Sequence, residues 1–288
     1  MTVEIKPIKM TDIFDLVRVC NQSFIEYARY PEAAAEVVNR LKNRDSEWLF
    51  GAYKNNVLKG FLLGRHRPGD GHSSIRLIGV DPSLKGKGVG SRLIRAMEER
   101  NAEKGVDKIR VGTPFAKTFY EKNGFTCIRV SLKVIRDLAG STVEQPRDVR
   151  IRTMDFSDAE AFTRRLSDRA TAANFLTVYL KHFRRHSGSF WIIEDPWSKQ
   201  GVVLSRELHH NHDFAETLFF HTDTDPFLPT LVRAYEYQIS KKGLRYIGFK
   251  LPADREELFA DLGYTRAEED YFWTMYTLEK QVGKGDNG

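Results

Sequence analysis

The chain has 288 residues and a mass of 33.2 kDa, and only Cys20 and Cys127 are cysteines. This length favours two domains, and two cysteines are too few for a disulfide framework or a cysteine-rich metal site. The net charge of +6 is unevenly placed: residues 1–145 hold 25 Lys and Arg against 17 Asp and Glu, whereas residues 146–288 hold 20 against 22. We therefore expect a polyanionic partner, either nucleic acid or a phosphorylated cofactor, to bind the first half.

The N-terminal segment has charged residues within its first ten positions and no apolar stretch of signal-peptide length. No segment approaches the roughly 20 consecutive apolar residues that a membrane-spanning helix needs. The low cysteine content suits a reducing compartment. These features predict a soluble, cytoplasmic protein.

Taken in chain order, the predicted elements occur twice. Each half begins with a strand, continues with helices and a hairpin, and ends with alternating strands and helices. Four segments of the first half reappear in the same order, at offsets between 146 and 138: Val3–Ile8 with Val149–Met154, Gly60–Leu63 with Gly201–Leu204, Leu93–Glu98 with Leu231–Glu236, and Asn123–Phe125 with Leu262–Tyr264. This order predicts an α/β fold with a mixed sheet, in tandem domains over residues 1–138 and 147–280, followed by a flexible tail at 281–288.

A glycine-rich turn connects an apolar strand ending at Val80 to an amphipathic helix. Residues 85–90 read Lys-Gly-Lys-Gly-Val-Gly. Glycines permit the positive φ values that turn successive amide N–H groups inward, and the first helical turn adds unpaired donors. The pattern predicts an anion site. It is neither a Walker A loop, because Ser91-Arg92 follows Gly90, nor a dinucleotide fingerprint, because Ser91 stands where the third glycine belongs.

The turn resembles the acyl-CoA signature of the GNAT superfamily of N-acetyltransferases, which reads Q/R-x-x-G-x-G/A. Gly88 and Gly90 take the two small-residue places, and Lys85 replaces the first Gln or Arg while keeping its charge. Downstream, residues 116–125 read Ala-Lys-Thr-Phe-Tyr-Glu-Lys-Asn-Gly-Phe, which is similar to the family's A-x-x-F/L-Y-x-x-x-G-F segment. Two motifs in this order extend the resemblance over about residues 3–135, so we expect a tandem GNAT-like protein that uses acetyl-CoA and no metal.

The resemblance implies a role for each motif residue. Peptide groups at Ile78 and Val80 are expected to pair with the pantetheine arm, with the Val80 amide as the oxyanion donor. Tyr120 is expected to protonate the departing thiolate as general acid, since the ordinary pKa values of tyrosine and a thiol are about 10 and 8.5. The complete set expected to bind acetyl-CoA is Ile78, Gly79, Val80, Lys85, Gly86, Lys87, Gly88, Val89, Gly90, Ser91, Thr113, Phe119 and Tyr120.

The general base is not identified by the sequence. The family often places a glutamate on or beside the strand before the glycine-rich turn, but residues 72–77 read His-Ser-Ser-Ile-Arg-Leu without a carboxylate. Glu26, His66 and His72 are the alternatives, acting directly or through water. Each of them also fits an ordinary surface or loop position.

The second half lacks the features that carry chemistry in the first. Residues 222–229 read Thr-Asp-Thr-Asp-Pro-Phe-Leu-Pro, so no glycine turn remains, and Asp223 and Asp225 would repel a diphosphate. Tyr120 corresponds to Phe259, which has no proton to donate. We interpret this half as a degenerate GNAT-like domain that either shapes the acceptor site or only stabilises the fold.

Two basic or histidine-rich stretches of the second half suggest other sites. Residues 209–213, His-His-Asn-His-Asp, could indicate a metal site, but a hairpin turn is the favoured interpretation. Residues 181–186, Lys-His-Phe-Arg-Arg-His, could contact nucleic acid, but this half is net acidic and a solvated helix face is favoured.

Three functions follow from the sequence. The first is direct transfer of an acetyl group from acetyl-CoA to a primary amine, of a small molecule or a peptide, in a ternary complex. The second is a non-catalytic acyl-CoA-binding or regulatory module, which the missing carboxylate favours. The third is nucleic-acid binding by the basic half, which we rank last. Oligomeric state and acceptor are not encoded in any motif.

Overall fold

The computed structural model describes residues 3–23, 30–66, 71–183, 188–197, 199–208, 211–267 and 274–282. The strands are β1 (Glu4–Pro7), β2 (Leu49–Lys54), β3 (Val57–His66), β4 (Ser73–Val80), β5 (Lys108–Thr113), β6 (Thr126–Asp137), β7 (Arg150–Thr153), β8 (Ser189–Glu194), β9 (Gln200–Leu208), β10 (Asn211–Thr222), β11 (Tyr246–Pro252), β12 (Thr265–Arg266) and β13 (Met275–Gln281). The helices are α1 (Ile13–Ser23), α2 (Tyr30–Lys42), α3 (Val89–Glu103), α4 (Lys117–Lys122), α5 (Phe156–Arg165), α6 (Arg169–Phe183), α7 (Leu228–Lys241) and α8 (Glu256–Asp261).

These elements form two compact units. The first contains Met1–Val130 and Met275–Gly288, and the second contains Ser131–Thr274. The strand order is β1-β2-β3-β4-β5-β13 in the first unit and β6-β11-β10-β9-β8-β7 in the second, with β12 also on β6. Pairing is parallel between β4 and β5 and between β10 and β11, and antiparallel between the other paired strands of each unit described here. The predicted α/β class with a mixed sheet is confirmed.

The compact units do not coincide with the two halves of the repeat. β13, at the end of the chain, pairs with β5 of the first unit from Tyr276 opposite Thr113 to Gln281 opposite Lys108. The second unit takes the part of β6 after Val130, which pairs with β11. The bounds 1–138, 147–280 and 281–288 describe the repeat in the sequence and stay a prediction.

Within each unit the repeat is visible in the register of the parallel pair. Ser73 lies opposite Ile109 in the first unit, and Ala215 lies opposite Ile247 in the second. In both units, three residue pairs are made before the two strands stop pairing. Each unit therefore has a point at which its parallel strands diverge.

The core of the first unit lies on both faces of its sheet. One cluster includes the buried face of α3, formed by Leu93, Ile94 and Met97. Another cluster includes Leu16 and Val19 of α1. Burial of each such side chain contributes about 2 kcal/mol, so the amphipathic pattern of the helices is enough to attach them to the sheet.

The second unit has a core that is rich in aromatic side chains. Phe175, Tyr179 and Tyr235 are fully buried. Tyr237 is half-buried, and the three aromatic residues at 271–273 lie outside the described residues.

Candidate active site

The first unit contains a gap between two neighbouring strands. β4 pairs with β5 at Ser73, Ser74 and Ile75, and the pairing does not continue to Val80. On its other side β4 stays paired with β3 as far as Val80, which lies opposite Gly60. One edge of β4 therefore has no strand partner among the described residues from residue 76 onward.

The orientation of these peptide groups follows from the hydrogen bonding of the next residue. The Asp81 amide donates to the Lys59 carbonyl over 2.8 Å. Because successive peptide groups of a strand alternate in direction, Ile78 and Val80 direct theirs away from β3 and into the gap. The structure thus places both predicted residues at the gap.

Ser23, at the end of α1, also reaches this edge. Its hydroxyl donates to the Val80 carbonyl over 3.2 Å. Its oxygen would lie 3.3 Å from a Cβ atom at Gly79, and the Phe61 ring would lie only 2.7 Å from the same position. Gly79 is therefore required for close packing here. The sequence had no signal for Ser23, because its helix is distant along the chain.

Asp81 organises the turn that follows β4. Its carboxylate accepts hydrogen bonds from the Ser83 amide (3.0 Å) and hydroxyl (2.7 Å), and it forms ion pairs with Lys59 (2.9 Å) and Arg18 (3.0 Å). These contacts, the Ser83 hydroxyl first, hold the pKa of the Asp81 carboxyl well below its usual range. The buried carboxylate thereby fixes the start of the glycine-rich turn. Arg18 and Lys59 were not predicted from the sequence.

The glycine-rich turn has the backbone conformation that its sequence predicts. Gly86 and Gly88 have φ values of +77° and +74°, and a Cβ atom at either position would meet no atom within 4 Å. Gly88 is the N-cap of α3, and its carbonyl accepts from the Arg92 amide. Five backbone amides of the turn and of the first turn of α3 have no acceptor among the described residues: Gly86, Gly88, Val89, Gly90 and Ser91. Five free donors beside left-handed glycines suit a diphosphate.

Side chains around the turn complete the site. Lys85 is exposed, and Lys87 donates through Nζ to the Ser83 carbonyl over 2.8 Å. Gly90 lies against Phe119, whose ring would be 3.0 Å from an added Cβ atom. Gly90 is therefore needed for the approach of α4 to α3, and not for a positive φ.

Tyr120 lies on α4 and is 3% exposed. Its ring packs edge-on against Phe119 and Phe125, with centroid distances of 5.1 and 5.4 Å. Its hydroxyl has no hydrogen-bond partner within the described parts of the chain, and burial raises the pKa of Tyr120. Thr113 is also buried, and its hydroxyl oxygen accepts from the Ala116 amide over 3.0 Å. That hydroxyl can still donate its own proton.

The structure does not bring the two candidate histidines to this gap. His66 is paired opposite Ser73, at the far end of β4, and its Nδ1 lies 3.2 Å from the His72 carbonyl. At about 3.3 Å per residue, Ser73 is roughly 16 Å from Ile78. Glu26 lies outside the described residues.

The corresponding region of the second unit is built differently. Residues 225–227 form a 3-10 turn that leads into α7 with Pro229 in its first turn, and Asp225 pairs with Arg255. Where β10 and β11 diverge, the rings of Phe220 and Phe249 are in edge-to-face contact at 5.3 Å. Phe259, in the place of Tyr120, packs against both of them. Aromatic rings thus bridge the divergence.

The two remaining sequence candidates, residues 209–213 and 181–186, lie partly outside the described residues. Residues 209 and 210 lie outside the described residues, and within the described ranges no three His, Cys, Asp or Glu side chains are grouped to hold a metal ion. Residues 184–186 of the basic stretch also lie outside them, and His182 is buried. No helix in the described part of the chain is long and apolar enough to cross a bilayer.

Comparison with known families finds a match for the segment that contains this site. Residues 10–125 match the family model described as the acetyltransferase (GNAT) family. This segment belongs to the GNAT family. It contains the diverging strands, the glycine-rich turn and Tyr120, so the predicted family is confirmed. No curated protein sequence matches the chain significantly.

Solved GNAT structures resemble the chain over both units. A GCN5-related N-acetyltransferase from Kribbella flavida is 15% identical with a TM-score of 0.68, over 98% of this chain and 72% of that one. One from Sphaerobacter thermophilus is 12% identical with a TM-score of 0.66, over 97% and 96%. A tandem GNAT protein from the clavulanic acid biosynthesis pathway is 14% identical with a TM-score of 0.64, over 99% and 100%. The tandem GNAT fold therefore extends beyond the matched segment.

Proposed function

We propose that this GNAT protein transfers an acetyl group from acetyl-CoA to a primary amine, and that the first unit carries the reaction. The observation that supports this most directly is the set of free amides at residues 86 and 88–91, placed at the end of a strand whose next edge is open. The free amides can donate hydrogen bonds to a diphosphate. The open edge of β4 can form hydrogen bonds with an extended arm that contains amides, as a neighbouring strand would.

In this proposal, bound acetyl-CoA supplies an activated acetyl group as a thioester. The free amides, with Lys85 and Lys87 nearby, would hold the diphosphate. Ile78 and Val80 would pair with the pantetheine amides, and Gly79 leaves room for Phe61 and Ser23 behind the strand. Thr113 and Phe119 would line the gap from β5 and α4.

Two groups would stabilise charge during transfer. The Val80 amide, directed into the gap, would donate to the oxygen on which negative charge develops as the amine attacks, an effect worth a few kcal/mol when the donor is preorganised. Tyr120 would donate from its unpartnered hydroxyl to the departing sulfur. Its raised pKa keeps that proton in place at neutral pH.

The incoming ammonium must lose a proton before it attacks. β4 carries no carboxylate, and His66 and His72 are remote from Ile78, so this role is not assigned to a described residue. The same observation favours the second candidate function, a non-catalytic acyl-CoA-binding or regulatory module.

The second unit is proposed to bind no acyl-CoA. Its helix α7 follows a turn without glycine, and Phe220, Phe249 and Phe259 bridge its diverging strands. In this proposal the second unit either shapes the acceptor site or only stabilises the fold. A cytoplasmic location, an amine acceptor on a small molecule or peptide, and the absence of nucleic-acid binding stay predictions.

Calorimetry with CoA and acetyl-CoA, followed by thiol release with a panel of amines, tests these proposals. We expect binding to the wild type and none to Gly88→Asp, which places an anion among the free amides. Turnover with any amine supports the enzyme, whereas binding without turnover on every acceptor supports the regulatory module. The absence of heat with folded protein contradicts both.

A further inference from the structure

Arg76 occupies an irregular position on β4. The register with β3 passes from Leu77 opposite Leu63 to Ile75 opposite Gly64, so Arg76 is the additional residue of a β-bulge. Ile75 packs against the cluster that contains α3, whereas Leu77 packs against the cluster that contains α1. Residues two apart share one face in a regular strand, so the bulge has turned the chain at Arg76.

The bulge lies where β4 separates from β5. Ile75 opposite Val111 is the last pair between these strands, and Arg76 follows at once. Arg76 is also the one exposed residue of β4. Arg76 therefore lies at the inner end of the same gap that Ile78 and Val80 line, with its side chain exposed.

The guanidinium of Arg76 has no counter-charge among the residues that the structure describes. It has no hydrogen bond or ion pair with any of the residues that the structure describes, whereas Arg110, one strand away, pairs with Glu279 at 2.6 Å. A free guanidinium matches a carboxylate with two parallel hydrogen bonds.

We infer that Arg76 determines substrate specificity by binding a carboxylate carried by one of the two substrates next to its reacting atoms. This inference rests on the proposed transfer reaction. The carboxylate can belong to the acceptor, as in an α-amino acid, or to the acyl group, as in a dicarboxylic acyl-CoA. In both cases Arg76 binds the acid without taking part in bond making.

Thiol-release kinetics with matched substrate pairs test the inference. One arm compares amino acids with their carboxamides, using acetyl-CoA as donor. The other compares succinyl-CoA with acetyl-CoA on one amine. We expect kcat/KM to favour the anionic member by about tenfold or more in one arm, as a charge-assisted hydrogen bond provides.

Variants then test whether Arg76 causes this substrate preference. Arg76→Gln should remove it and Arg76→Lys should keep part of it, while Arg95→Gln, on the exposed face of α3, should leave it unchanged. The inference is overturned if neither arm shows a preference or if the preference survives in Arg76→Gln. Calorimetry with CoA separates this result from failure of the proposed function, because Arg76→Gln should bind CoA as the wild type does.

Discussion

Lys280 forms an ion pair with Glu98 in the first unit, with a distance of 2.6 Å between Nζ and Oε1, although 182 residues separate them in the chain. The second unit contains its counterpart, in which Arg136 pairs with Glu236 at 2.9 Å. Glu98 and Glu236 occupy the same place in the repeat. In both units the cation also lies beside a glycine with positive φ, Gly124 or Gly263. The repeat is thus preserved in three dimensions, with each cation on a strand from the other half of the sequence.

The position of β13 predicts that the first unit needs the end of the chain. Leu278 is fully buried, and six residues of β13 pair with β5. Truncation after Thr274 should therefore abolish CoA binding and the cooperative unfolding of the first unit. Truncation after Val282 is the matched control and should preserve both. Normal CoA binding by the shorter chain would show that β13 is dispensable.

The Glu98–Lys280 pair should contribute a modest coupling energy. Both side chains are about one quarter exposed, so a double-mutant cycle of Glu98→Gln and Lys280→Met should give about 0.5–1 kcal/mol in the free energy of unfolding. Urea denaturation measures it. Strictly additive changes in the free energy of unfolding would show that the ion pair does not stabilise the first unit.

Gly88→Ala should weaken CoA binding more than it weakens the fold. Gly140 offers a matched control, because its φ of +71° is close to the +74° of Gly88 and neither Cβ atom would meet a neighbour within 4 Å. Each alanine should cost about 1 kcal/mol of stability through its left-handed backbone. Only Gly88→Ala should lower the affinity measured by calorimetry. Equal affinities in the two variants would contradict a diphosphate at this turn.

Tyr120→Phe should lower kcat by about 100-fold and leave CoA affinity unchanged, since phenylalanine keeps the ring packing but has no proton to donate. Burial raises the pKa of Tyr120, so its acidic form persists to higher pH than that of a free tyrosine. The wild-type rate should accordingly show no loss from ionisation of Tyr120 below about pH 10. A variant with unchanged kcat would exclude this residue as the proton donor.

Asp81→Asn should loosen the glycine-rich turn and lower stability by about 2–3 kcal/mol, because Lys59 loses its ion-pair partner and Arg18 keeps only Asp15. The lowered pKa of Asp81 means that its contribution is complete above the unfolded pKa of about 3.9 and is lost as the pH falls below it. Acid unfolding of the variant should therefore have a smaller pH slope. If the slope equals that of the wild type, the Asp81 carboxylate does not contribute to the stability of the turn.

The sequence by itself determined the features that depend on neighbouring residues. The glycine spacing at 86–90 sets backbone φ values and amide directions within a few residues, and the structure has the predicted positive φ at Gly86 and Gly88. The repeat, the mixed sheet and the GNAT motifs were likewise contained in local patterns of apolar residues and glycines.

Tertiary structure decided the features that join distant parts of the chain. The alternating pattern of β13 specifies a strand but not its partner, so its pairing with β5 is selected by the packing of the whole sheet. Ser23 reaches Val80, and Arg18 reaches Asp81, only after α1 has docked. The bulge at Arg76 depends on its register with β3. Long-range contacts of this kind depend on the fold as a whole, which local spacing does not encode.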